Sequence, residues 1–311
     1  VSIYIAWSYP GEANRAVDEL DNRYSTMSEV RRVAWPKFET LAADPERFPQ
    51  GIAGSLELFF RAWVPFQQFV EEKTGHAVPV FQRRDQAGYH QPLDKGVVED
   101  ADTLMIFGLD HLVTRQEPAA NEIEAVNAFL SREGTTLILG PHHDVGVTDD
   151  PGVREMEHRH HRDALVPRQQ RFGGYTRSLM KALEIPIENR WGLRPDRDKT
   201  TKEMVPLSIN HDLDTRGFLT DVTTFNFHMH MPHYEVTTDS EKSVHVLAKQ
   251  PIDMSRPHPF TEAGNREFNA FIWLPPTGNR AGDVVMADST LFSTLFGADD
   301  SLKRFWGNLV R

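Results

Sequence analysis

The sequence predicts an α/β fold: a single domain over residues 1–311, built on a mostly parallel sheet flanked by helices, with a β-rich insertion over about 186–265. Three observations predict it. Residues 102–140 read strand, helix, strand with short connections, which is a βαβ unit and implies parallel pairing. The strands of that unit are apolar throughout, as strands buried on both faces are. The chain closes with two further strands and a helix.

Taken in order, "SIYIAW" at 2–7 is a first short strand, broken by Pro10 and Gly11. Residues 12–40 are polar and expected to be helical in part. Leu56, Phe59, Phe60, Trp63, Phe66, Phe69 and Val70 recur at helical spacing, so 52–73 is a helix that Pro65 should kink or divide and Gly75 should end. "AVPVF" at 77–81 is the next strand. "DTLMIFG" at 102–108 is a buried strand. Residues 117–134 form a helix with Ile123, Val126, Phe129 and Leu130 on one side, and "TTLILG" at 135–140 is a second buried strand. "RFGGYTRSLMKALEI" at 171–185 reads as a helix entered through Gly173 and Gly174. "NAFIWLPP" at 269–276 is a strand, "GDVVMADSTLFS" at 282–293 a strand with an exposed end, and 300–311 a helix.

Composition narrows the function classes. The net charge of −11 argues against a nucleic-acid backbone as the main partner. No apolar run reaches the roughly 18 residues of a membrane span, and no signal-peptide pattern opens the chain, so the expectation is a cytoplasmic protein that acts on a small molecule. Cysteine is absent, which excludes disulfides, thiolate metal sites, iron–sulfur clusters and a cysteine nucleophile. The 14 histidines are instead clustered.

The order of pieces from 102 to 146, "DTLMIFGLDHL", "EIEAVNAFLSREG" and "TTLILGPHHD", together with "GDVVMADSTLFS" and "RFWGNLV" near the end, resembles the class I glutamine amidotransferase-like superfamily, with the trehalose-utilisation (ThuA-like) branch nearest. That resemblance covers about half the chain. It implies a flavodoxin-like or amidotransferase-like sheet with the active residue at the turn after the 135–140 strand, and a homo-oligomer is compatible with such a fold. The glutaminase members carry a cysteine at that turn. Here the turn reads Gly140–Pro141–His142–His143–Asp144, so hydrolysis of glutamine through a thioester is excluded.

Two histidine clusters carry the chemistry. "PHHD" offers His142, His143 and Asp144 at the carboxyl end of a parallel strand, where open α/β sheets bind ligands. The bland alternative is a loop whose side chains satisfy their own turn. "FNFHMHMPHYE" at 225–235, read as a strand, places Asn226, His228 and His230 on one face, with Phe227, Met229 and Met231 on the other. Pro232 should end that strand or mark an edge, after which His233 and Glu235 turn back to the same place. The alternative is a solvent-facing strand.

His142, His143, His228 and His230 are thus the expected metal ligands. Asp144, Glu235 and His233 are the expected catalytic groups. Arg168, Arg171 and Arg177 around the Gly173–Gly174 turn, with Tyr9 at the first strand's end, are the expected substrate contacts. Asp110 and His111 are candidates to orient a ligand. "EHRHHRD" at 157–163 has the mixed charge of a solvated helix face, with His160 and His161 as reserve ligands. A nitrogen and carboxylate set fits a divalent transition metal, zinc first and iron or manganese next. The expectation is a metal-dependent hydrolase of a small polar or anionic substrate. Its alternatives are an Fe(II) enzyme using oxygen and a non-catalytic sugar- or partner-binding module.

Overall fold

The computed structural model describes residues 1–13, 48–85, 87–161, 172–226, 228, 230–237 and 243–310. The expectation of helix within 12–40 lies almost wholly outside them, and so do Arg168 and Arg171. Among the described residues, eight strands form the main sheet: β1 (Ser2–Ser8), β2 (Val80–Arg84), β3 (Thr103–Gly108), β4 (Thr136–Pro141), β6 (Ser208–Ile209), β8 (His245–Pro251), β9 (Glu267–Leu274) and β10 (Asp283–Met286). Their order is β2-β1-β3-β4-β10-β9-β8-β6. The first five run parallel, and β9, β8 and β6 extend the sheet antiparallel. The parallel part has the 2-1-3-4-5 order of flavodoxin-like doubly wound sheets. The remaining strands, β5 (Ile187–Leu193) and β7 (Met231–Val236), pair antiparallel as a separate ribbon.

The two faces of the parallel strands divide by residue parity, as a period of two requires. Ile3, Ile5, Trp7, Met105, Phe107, Ile138 and Val285 point one way, onto α2 (Phe48–Thr74) and α8 (Asp300–Leu309) through Trp63, Phe66, Val70, Phe305 and Trp306. Tyr4, Ala6, Leu104, Ile106, Leu137, Leu139 and Val284 point the other way. They meet Val126, Phe129 and Leu130 of α4 (Ala120–Leu130) and Tyr175 and Leu179 of α6 (Gly174–Ala182). The result is three layers, helix–sheet–helix, with all 12 residues of β3 and β4 buried. Among the described residues no helix is long and apolar enough to cross a membrane.

Several sequence expectations are corrected. Pro65 does not divide its helix, since α2 is unbroken from 48 to 74. The strand expected over 225–235 begins only at Met231; His228 and His230 lie in the irregular chain before it. Pro232 sits inside β7, and it is tolerated there because a two-stranded ribbon has a free edge on each strand. The end of the 282–293 segment is buried, not exposed: Asp288, Ser289 and Thr290 are each at most 5% accessible. Asp288 caps a 3-10 turn there by accepting from the Thr290 N–H at 3.0 Å. The 157–161 run is not a solvated face either. It ends α5 (Pro151–His161), and Glu157, His158, His160 and His161 are all buried.

Candidate metal centre

Three buried chain segments converge beyond the carboxyl edge of β4. The first follows β4 directly. The His142 N–H donates to Gly108 O at 2.9 Å, which carries the β3–β4 ladder one residue past the strand, and the backbone then turns. The Asp144 N–H donates to Arg190 O at 3.2 Å and Gly192 N–H to Asp144 O at 3.1 Å, so the turn is stitched to β5. The second segment is the end of α5, where Glu157 accepts from the Gly146 N–H at 2.7 Å and holds helix to turn. The third carries Asn226, His228 and His230. Asn226 Nδ2 donates to Thr290 O at 2.7 Å and pins it to the turn after β10.

At the convergence stand His143, His161 and His230, with 0%, 0% and 5% of their surface accessible. One ring nitrogen from each lies within 4.8 Å of the others, an arrangement that could hold a metal ion. The Nε2 atoms of His143 and His161 are 2.7 Å apart. The rings of His161 and His230 stack at 3.6 Å between centroids, and His143 meets His230 edge to face at 4.6 Å. The two histidine clusters of the sequence therefore meet in space, joined by a residue from the third.

Burial holds all three rings well below the usual imidazole range, and the neighbouring histidines press the same way. Neutral imidazole is the form that ligates a metal. In the bare pair one Nε2 must carry a proton so that the other can accept it; a cation would let both nitrogens donate their lone pairs. Among the described residues, the Nδ1 atoms of all three rings are buried without a hydrogen-bond partner.

The other expected residues lie around this core. His142 packs on His143 at 4.1 Å and on Phe172 at 5.0 Å. His228 contacts His230 at 4.6 Å; its Nδ1 faces Asp288 at 3.4 Å and Thr290 Oγ1 at 3.1 Å. Burial opposes ionisation of Asp288, but His228 beside it, with His142 and the Thr290 N–H, outweighs that and keeps its carboxyl below the usual range. Asp144 accepts from Phe172 N–H at 3.1 Å and pairs with Arg177 at 2.9 Å. Arg177 also donates to Phe172 O and Asn189 O, so its guanidinium holds α6 against the turn. Asp110 accepts from Tyr175 N–H, and His111 caps a short turn at Val113.

His233 and Glu235 stand on β7, away from the trio. His233 accepts from the Asn269 N–H and lies among Trp191 and Phe260, where burial pushes its pKa down to about 4. Glu235 is half-exposed and pairs with Arg190 at 2.6 Å. Tyr9 follows β1 and packs, half-buried, against the core face shared with Trp7.

Sequence reasoning underweighted His161 and missed Asp288 and Gly192. No protein-family model matches the chain, and no curated protein matches it. Fold and site geometry therefore carry the functional reading.

Proposed function

We propose that this protein is a metal-dependent hydrolase of a small polar or anionic substrate, cleaving an amide, ester or ring C–N bond, with zinc held by His143, His161 and His230. The observation behind it is the buried imidazole trio at the carboxyl edge of a parallel sheet. A facial iron site takes two imidazoles and one carboxylate. Among the described residues the cluster offers three imidazoles and no carboxylate, a donor set that catalytic zinc uses while keeping a fourth position open. Bound there, zinc supplies Lewis acidity and an activated water near neutral pH.

The chain's own residues do the rest. Low accessibility excludes bulk water from the trio. Asp288 and Thr290 fix the ring of His228 against His230 and engage its Nδ1, which leaves Nε2 to serve the site. Asp144, paired with Arg177, fixes the turn that carries His143.

The test compares chelator-stripped and zinc-loaded protein on a panel of p-nitrophenyl acetate, p-nitrophenyl phosphate and cyclic amides. Zinc-dependent turnover of at least one, absent from His161→Ala, is the expected result. Rates equal to the uncatalysed background across the panel would overturn the hydrolase reading.

A further inference from the structure

Gly192 lies in the interior of β5, where glycine weakens a strand because it has no side chain to pack. Its φ is not in the left-handed region, so backbone conformation does not call for it. Space does. A Cβ at this position would stand 2.3 Å from Cδ2 and 2.7 Å from Nε2 of His143, and 2.9 Å from Cδ2 of His161. Real Cβ atoms do not approach that closely, and both rings are fully buried with little room to retreat. The β5–β7 pairing also shifts register between Asn189 and Gly192. Such irregularities bend a strand and re-aim its residues, often beside functional sites.

We infer that Gly192 is a positioning residue of the metal centre, an inference that rests on the zinc-site reading. The β5 backbone is the wall against which His143 and His161 are set. The missing side chain at 192 is what lets their Nε2 atoms face each other at 2.7 Å. Any side chain there pushes the His143 ring aside and parts the pair. Asp144 and Gly192 are hydrogen-bonded through their backbones, so wall and ligand turn are fixed to each other and the displacement falls on the rings.

The experiment uses Co(II) as the metal and reads its visible spectrum and affinity in wild type, Gly192→Ala and Gly192→Ser. Wild type should show the intense bands of a four-coordinate site. Both variants should bind Co(II) about 10- to 100-fold more weakly, with altered bands. Unchanged affinity and bands in Gly192→Ala would overturn the inference.

A steric double-mutant cycle guards against a variant that merely folds poorly. Gly192→Ala should lower the thermal midpoint in the metal-free protein and should cost much less in a His143→Ala background. An equal loss in both backgrounds would also overturn it. Absence of Co(II) binding by wild type would instead sink the metal reading, while the cycle would still report whether Gly192 sets the rings.

Discussion

Asp288 stands just beyond the end of β10 and faces the centre through His228. Its carboxylate is almost wholly buried, accepts from Thr290 N–H and faces His228 Nδ1. Asp288→Asn keeps the shape and removes the charge that orients the ring. The expected outcome is unchanged zinc content with turnover reduced about 10- to 100-fold, the usual scale for a group that orients another. Metal analysis beside steady-state kinetics checks both halves, and loss of zinc would show that Asp288 supports ligation instead. At this scale the sequence was readable where histidines crowd together: His142 with His143, and His228 with His230. His161 was harder to choose, because its neighbours Arg159 and Arg162 give the run the look of a solvated face. The helix is in fact buried at the His160–His161 end. Asp288 and Gly192 offered no local signal, since their roles exist only through residues at least 31 positions away.

At the scale of elements, one buried carboxylate ties four segments together. Glu122 on α4 accepts from Arg83 of β2, from the backbone N–H groups of Leu93 and Ala119, and from Tyr175 of α6. Arg83 also lies over the Tyr175 ring at 4.4 Å. Burial pushes the Glu122 carboxyl up, but the Arg83 hydrogen bond and the two N–H donors outweigh it and hold it below the usual value. The folded pKa is thus below the unfolded one. The stabilisation is complete above the unfolded carboxylate range, about pH 4.3, and is lost as pH falls through the folded value. Glu122→Gln should cost about 3–5 kcal/mol at neutral pH, because it strands a buried guanidinium. The gap from wild type should narrow in acid, as denaturant titrations between pH 7 and pH 3 would show; a constant gap would contradict the ion pair. The strands of the parallel sheet were legible because burial on both faces leaves continuous apolar runs. The start of β7 was not. Alternation of His and Met from 228 to 231 mimics a strand, whereas Asn226 and His228 are held by the 288–290 turn rather than by a ladder.

Across the whole molecule, the centre joins parts of the chain 87 positions apart, from His143 to His230. It bridges the main sheet, α5 and the segment leading into the β5–β7 ribbon. A metal that binds only the folded form adds stability by mass action, about 2.7 kcal/mol at a hundredfold excess over Kd. Zinc should therefore raise the thermal midpoint and a chelator should lower it, with no such response in His161→Ala. The layered fold followed from the sequence because parity and periodicity are written residue by residue. The meeting of 143, 161 and 230 did not, because it depends on how a turn, a helix end and a loop pack beyond the sheet.

The most direct measurement is zinc content by elemental analysis of untagged protein after reconstitution and desalting. Wild type is compared with His143→Ala, His161→Ala, His230→Ala and, as a control from the neighbouring β7 strand, His233→Ala. About one zinc per chain is expected in wild type and His233→Ala, and loss in each of the other three. No retained zinc in wild type, or retention in all three ligand variants, would contradict it.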